Sequence, residues 1–398
     1  MTGEKYILRT DKAVCPETGA RVTRYIHERG DDTVFYYSQP SITADGRYLV
    51  FWSSVSGRPE IHAVDLAAGA DHSRRLSEGA HWSADHPCVD WSRNLVFYHV
   101  GRRLMRTKID TLETDWLYEF PEGYEPLAIS SNGKYVAFSF HEKMDIGRAR
   151  VSPKFHGARP QLYLRPMTVI IAIELDTDDA YFVWADRNYL SHVQMCPFDQ
   201  EMLFYSDQSA ENRQSEVFVV PVGFIEDKRP LQLFENGRQK LSYVGHEWFT
   251  RDGWLATQMV EYTGIGSRWN DFTDTVMYNA IVRIDGTRMR RARFPGSGKP
   301  IHVHGDRADS WWVGDTTPMP RGQEMDMGMM CLIRNHWESQ ETELIPLFRH
   351  GHDHERPFHV HPWVNPAEDT VVFAAKHQGR NCVQTLDLAG FLSEKGLK

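Results

Sequence analysis

The sequence predicts an all-β protein built as a ring of seven β blades, and three observations predict it. One phrase recurs along the chain: a polar residue, often histidine, then a polar turn, then a hydrophobic strand. The copies follow one another at roughly 40–65 residues, the spacing of propeller blades. The segments between them read as further strands and turns, as in E-I-H-A-V-D-L and S-R-R-L-S-E after the first copy. A single four-stranded blade cannot bury both of its faces. Blades stacked in a ring bury them against their neighbours, and closure leaves only short edges exposed.

The elements follow in order. A-R-V-T-R-Y-I alternates as a strand does, over Arg21–Ile26. The first copy is Q-P-S-I-T-A-D-G-R-Y-L-V-F-W-S-S from Gln39, with its turn at Asp45-Gly46. The second runs from His86, H-P-C-V-D-W-S-R-N-L-V-F-Y-H-V, and the third from Pro126, P-L-A-I-S-S-N-G-K-Y-V-A-F-S-F. The fourth starts at His192, the fifth at His246, the sixth at His302 and the seventh at His361. In the seventh, Thr370–Ala375 reads as a buried strand and C-V-Q-T-L-D-L as the next. That last blade supplies only three strands. Arg21–Ile26 is the natural fourth, so the N-terminal strand is expected to close the ring in the last blade. No linker or low-complexity tract interrupts the chain, which is therefore expected to be one domain over residues 1–398. Two excursions leave the repeat. One follows Phe140 and carries Lys143, Arg148, Arg150, Lys154 and Arg159; the other is P-M-P-R-G-Q-E-M-D-M-G-M-M in the sixth copy.

Composition narrows the function classes. The 398 residues are 41% hydrophobic and 25% charged, which suits a globular protein with a large core. A net charge of -9 disfavours nucleic acid and anionic membrane surfaces as partners, so an anionic substrate would need a local basic site. The five cysteines are odd in number and lie in no C-x-x-C spacing. They read as reduced thiols of a cytoplasmic protein. No signal-peptide pattern and no apolar run of membrane-spanning length is seen.

The histidines carry the chemistry. Aligned on their turns, the copies open their inner strands at Gln39, His86, Pro126, His192 or Val193, His246, His302 or Val303, and His361. With 19 histidines in 398 residues, chance would place fewer than one at seven positions. Inner strands of a ring converge on its axis, so these imidazoles should meet at one mouth of the channel. His359-Val360-His361 adds a pair two residues apart, on one side of an extended segment. A ring of imidazoles can ligate a divalent transition metal or act as a general base near neutral pH. Alternatively, each histidine only caps a blade turn by hydrogen bonding.

The chain resembles the oligogalacturonate lyases, which are seven-bladed propellers, over nearly its whole length. The residues that carry the resemblance are T-G-A-R-V-T-R, V-F-Y-Y-S-Q-P-S-I-T-A-D-G-R-Y-L-V-F, L-M-R-T-K-I-D-T-L-E, C-P-F-D, G-H-E-W-F-T-R-D-G, W-W-V-G-D and H-V-H-P-W-V-N-P, in that order. The resemblance implies β-elimination at a 4-linked uronate, as in pectin degradation, on a small anionic saccharide. It implies a divalent ion, Mn2+ first, with Ca2+ or another divalent ion as alternatives. Its metal histidines fall on His302, His359 and His361, and its base falls on His246. Two positions depart from the family: its glutamine ligand is Arg356 here, and its substrate arginine falls on Glu216, with Arg213 the nearest basic residue. The shell is then expected to be completed by water or by Glu355. Arg213 is expected to assist catalysis, and His86, His192, Arg148 and Arg356 to bind substrate. The departures point also to a lyase for another uronate linkage, such as rhamnosyl-glucuronate. A non-catalytic sugar-binding or scaffold propeller is the remaining alternative.

Overall fold

A computed structural model describes residues 2–82, 87–144, 165–207, 216–223, 230–233, 242–262, 275–295, 300–316, 328–351 and 359–397. The chain begins with β1 (Lys5–Val14) and β2 (Arg21–His27). A sheet then forms from β3 (Asp32–Thr33), β4 (Tyr48–Ser53), β5 (Glu60–Asp65) and β6 (His72–Arg75). The next comprises β7 (Cys88–Asp90), β8 (Leu95–Val100), β9 (Arg103–Lys108) and β10 (Thr114–Glu119). It is followed by β11 (Tyr124–Ser131), β12 (Tyr135–Glu142), β13 (Thr168–Glu174) and β14 (Ala180–Asp186). Then come β15 (Leu190–Met195), β16 (Met202–Asp207), β17 (Glu216–Pro221) and β18 (Leu231–Gln232). The fifth group is β19 (Ser242–Thr250), β20 (Trp254–Tyr262), β21 (Thr275–Arg283) and β22 (Arg290–Arg293). The sixth is β23 (Pro300–His304), β24 (Trp312–Thr316), β25 (Met329–His336) and β26 (Glu341–Arg349), joined to the fifth by one parallel pairing, Arg293↔Glu341. The chain ends with β27 (Trp363–Val364), β28 (Thr370–His377), β29 (Arg380–Asp387) and a short helix, α1 (Leu388–Glu394).

The protein is all-β and propeller-like, and burial explains the strand sequences. β4, Y-L-V-F-W-S, shows no polar alternation because every residue in it is buried, its sheet being covered on both faces. The outer strand β10 is mostly exposed, Trp116 included. With one exception, each hydrophobic cluster joins sheets adjacent in sequence: Trp52 and Ile61 meet Val89, Val96 and Tyr98, for example. One cluster joins the ends of the chain, packing Leu49 and Phe51 of the first sheet against Trp363, Val372 and Val383 of the last.

The strand predicted over Arg21–Ile26 is β2, and it pairs with β29 from Val22↔Leu386 to Tyr25↔Val383. The sequence reading missed β1, which pairs with β2 along Leu8↔His27 to Val14↔Arg21 and with β6 through Lys5↔Arg74 to Ile7↔His72. It thus straddles the joint between the last and first sheets. Its apolar residues Ile7 and Val14 are exposed, so no core pattern marks it. Buried His27 reinforces the joint, its Nδ1 lying 2.9 Å from the Asp32 carboxylate and its Nε2 2.8 Å from Ser73 Oγ. α1 was also missed; Asp387 caps it by accepting from Gly390 N–H at 2.8 Å, and Leu388, Phe391 and Leu392 give it one buried face.

One expectation is corrected in the first sheet. Gln39 does not open its inner strand. β3 covers only Asp32–Thr33, and the strand resumes as a bridge between Ile42 and Leu49. The segment between them leaves the sheet. Gln39 Nε2 donates to Ile129 O in the third sheet, and Tyr37 packs among Trp248, Val303 and Trp312 of the fifth and sixth. Pro40, which cannot donate to a ladder, suits such a departure.

Candidate functional site

The inner strands bulge where their histidines sit. Register shifts fall between Ser191 and Gln194 in β15, Gly245 and Trp248 in β19, and Pro300 and Val303 in β23, enclosing His192, His246 and His302. His192 and His246 have φ of 51° and 58°, and His361, just before β27, has 42°. A non-glycine residue held there costs about 1–3 kcal/mol, and a bulge re-aims its side chain. This corrects the expectation that these histidines open their strands: His192, His246 and His302 lie within them.

The bulges bring distant histidines together. One nitrogen each from His302, His359 and His361 lies within 4.8 Å of the others. The His302 ring is 5.0 Å from that of His359 and 4.4 Å from that of His361. The His359 and His361 rings stack at 5.2 Å and 12°, on one side of their segment as the i, i+2 spacing predicted. Two nitrogens bound to one ion at about 2.1 Å stand about 3.0 Å apart at right angles and about 4.2 Å apart when opposed. The trio therefore needs only small side-chain rotations to share an ion.

Asp315 at the end of W-W-V-G-D orients the first of the three, His302. Its carboxylate is fully buried and accepts from both the backbone N–H and Nδ1 of His302, each at 2.8 Å. That fixes the His302 tautomer and leaves Nε2 as the nitrogen that could ligate an ion. Burial pushes the Asp315 carboxyl up, but the charge and hydrogen bonds of His302, with His350 beyond, outweigh it and hold the group far below the usual carboxylate range. His361 is driven well below an ordinary imidazole by burial and then by His302 and His359, which keeps it in the neutral form a metal ligand requires. These donors fit a divalent ion of the manganese or zinc type.

The other residues surround the trio. His246 lies beside His302, rings 4.9 Å apart, so the predicted base and metal ligand are neighbours. Tyr36 and Tyr37, from the segment that leaves the first sheet, sit between the histidines. Tyr36 is 5.6 Å from His192, 6.1 Å from His302 and 5.1 Å from His361; Tyr37 is 5.8 Å from both His246 and His302. His192 Nδ1 lies 2.9 Å from Oε2 of Glu247, which is wholly buried. His304 stands apart from this chemistry. Burial pushes it down to about 3, its Nδ1 accepts from Val364 N–H, and it stacks on Trp363.

Of the predicted site residues, His192, His246, His302, His359 and His361 gather at one place. His86, Arg148, Arg213, Arg356 and Glu355 lie outside the described residues. Lys143, on the first excursion, is exposed and faces Glu125 at 3.6 Å. The sequence reading missed Tyr36, Tyr37, Asp315 and Glu247 as parts of the site. A carboxylate between His246 and Trp248 in an apolar strand was a usable signal for Glu247, because an acid is rarely buried without a partner. All five cysteines are buried, and none forms a disulfide. No helix among the described residues is long and apolar enough to cross a membrane.

No protein-family model matches the sequence, and no curated protein is significantly similar to it. Among solved structures, an oligogalacturonate lyase in complex with manganese is similar over 97% of this chain and 98% of its own, with a TM-score of 0.76 and 16% identity. The oligogalacturonate lyase of Vibrio parahaemolyticus covers the same shares, with a TM-score of 0.77 and 19% identity. The dipeptidyl peptidase 4 of Porphyromonas gingivalis is more distant, with a TM-score of 0.54 and 10% identity over 98% of this chain and 61% of its own. The resemblance to oligogalacturonate lyases drawn from the motifs is thus matched by a likeness of fold.

Proposed function

We propose that this protein is a lyase that cleaves short uronate-containing oligosaccharides by β-elimination, aided by a divalent ion. One observation carries the reading. Three histidines converge with one nitrogen each within 4.8 Å of the others, and a fourth, His246, stands beside them at 4.9 Å from His302. We read the sheets as the blades of one seven-bladed propeller over residues 1–398, with β2 as the closing strand. The pairing of β2 with β29 and the cluster that joins the first and last sheets support this. The net charge, the reduced cysteines and the small anionic saccharide substrate suit a cytoplasmic location.

The C5 proton of a uronate is weakly acidic, so its removal needs a cation at the carboxylate and a base. A divalent ion held by His302, His359 and His361, Mn2+ first, supplies positive charge at the C6 carboxylate when bound. His246 takes the C5 proton, the electrons form the C4–C5 double bond, and the C4–O bond breaks. Asp315 holds His302 in register, and Tyr36 and Tyr37 wall the site. Arg213, Arg148, Arg356 and His86 are proposed to meet the saccharide; Arg356 and Glu216 at two family positions favour a second reading, a lyase for another uronate linkage such as rhamnosyl-glucuronate.

The test is a screen of purified, Mn2+-loaded protein against digalacturonate, trigalacturonate and rhamnosyl-glucuronate for the ultraviolet absorbance of a 4,5-unsaturated product. Absorbance that appears with wild type and is lost in His246→Ala supports the reading. No product from any uronate, with metal bound, would leave a sugar-binding propeller as the better account.

A further inference from the structure

An elimination needs an acid as well as a base, because the departing glycosidic oxygen leaves as an alkoxide unless it is protonated. We infer that His192, positioned by Glu247, is that acid; the inference rests on the elimination reading proposed above. Four observations point to it. Glu247 is 0% exposed, yet Oε2 meets only His192 Nδ1, at 2.9 Å, and Oε1 accepts no hydrogen bond among the described residues. A carboxylate on Nδ1 fixes a proton there and leaves Nε2 as the atom that would carry the transferable proton. Glu247 is held rigidly by its backbone, whose carbonyl accepts from Gln194 Nε2 at 2.8 Å and from Tyr37 Oη at 3.2 Å. His192 itself is partly exposed, with a side chain 13% accessible, so the proton it carries can reach a ligand.

Position fits the role. His192 on β15 and His246 on β19 lie in neighbouring inner strands, each in a bulge with left-handed backbone. His192 packs on Tyr36, whose ring also touches His302 and His361, while His246 packs on Tyr37 and His302. The two imidazoles thus border the trio separately and could address two atoms of one sugar. Glu247 turns its carboxylate to His192 and not to His246, its own neighbour in the chain, so the carboxylate serves one of the two imidazoles.

The step balances. His246 accepts the C5 proton, the C5–H electron pair becomes the second C4–C5 bond, and the C4–O4 pair passes to O4. O4 takes a proton from His192 Nε2, with Nδ1–H remaining on Glu247. Solvent then returns the proton to His192 and removes the one on His246, so no oxidant or co-reactant is required.

The test compares two leaving groups on Mn2+-loaded protein: digalacturonate, whose leaving oxygen is a sugar alcohol, and methyl 4-O-(4-nitrophenyl)-galacturonide, whose nitrophenolate departs without protonation. His192→Gln should lose about 10²–10³ in kcat on the first and less than about threefold on the second, the range expected for loss of an acid. Glu247→Gln, which keeps the shape but removes the charge, should lose about tenfold on the first and recover on the second. A merely structural role for Glu247 would lower both alike. His246→Ala should fail on both. Equal losses for His192→Gln on the two probes, or no loss on either, would overturn the assignment. If wild type cleaves neither probe, the elimination reading fails with it; if wild type cleaves both and His192→Gln shows no leaving-group dependence, only the acid fails. Circular dichroism and metal content, expected to be unchanged in His192→Gln, exclude unfolding as the cause.

Discussion

Replacing Asp315 with asparagine changes one atom and should disable a ligand it does not itself provide. Asp315 accepts two hydrogen bonds from His302, one from N–H and one from Nδ1, both at 2.8 Å, in a place with no solvent. Asparagine offers one acceptor and one donor. If its oxygen faces the backbone N–H, its NH2 faces Nδ1, and the imidazole must carry its proton on Nε2, the nitrogen that ligates. If it turns the other way, its NH2 opposes the backbone N–H, leaving a buried donor unsatisfied at about 1–3 kcal/mol. Loss of such an orienting partner lowers metal affinity about 10–100-fold, which is about 1.4–2.8 kcal/mol. Calorimetric titration of Mn2+ into metal-stripped wild type and Asp315→Asn measures this directly. His304→Phe serves as the control. His304, two residues from His302, is buried, accepts from Val364 N–H and stacks on Trp363. It should lose stability and keep its affinity. Asp315→Asn binding within about threefold of wild type would refute the orienting role.

Three further outcomes follow from the same geometry. At a φ of 58°, His246→Gly should be more stable than His246→Ala by about 1 kcal/mol, the reverse of the usual strand order, because only glycine adopts that backbone without strain; denaturant unfolding decides it, and a more stable alanine variant counts against a left-handed residue there. Mn2+ at 100-fold its Kd should stabilise wild type by about 2.7 kcal/mol and His361→Ala by much less, read as the shift of Tm on adding the ion or a chelator. Burial, and secondarily His27, pushes His62 down to about 3 from 6.5. A group whose folded pKa is depressed in this way is neutral in the fold and protonated in the unfolded chain between the two values, so stability should fall as pH drops from about 6.5 towards 3; His62→Phe, packed against Phe51, should flatten that limb in thermal unfolding against pH.

The fold was legible because blade sheets bury both faces, so β4, β8, β12 and β28 stand out as unbroken apolar runs bounded by polar turns. β2 was legible by subtraction, from a last sheet short of one strand, and it pairs with β29 there. β1 and α1 were not, since β1 shows Ile7 and Val14 to solvent and fully buries only Leu8, and α1 is only seven residues long. The opening of the first copy was misjudged for a related reason: the strand read from Gln39 resumes only at Ile42, after a segment that crosses to the fifth and sixth sheets, and local pattern carries no such information.

The site was legible in its candidate ligands and not in their supports. His302, His359 and His361 announce themselves by residue type and spacing. Asp315 and Glu247 act through the histidines they touch, and each touch spans a strand pairing or two neighbouring sheets that the sequence does not show. The bulges explain this division. A histidine set in a regular strand would alternate with its neighbours across the sheet, so His246 and Glu247 would face opposite sides. In the bulge, His246 lies beside His302 while Glu247 meets His192 from the next inner strand. One insertion in the ladder therefore places a candidate base and the partner of a candidate acid with two consecutive residues. The strain at His192 and His246 accompanies that placement, and the surrounding aromatic core of Tyr37, Trp248 and Trp312 holds it in place.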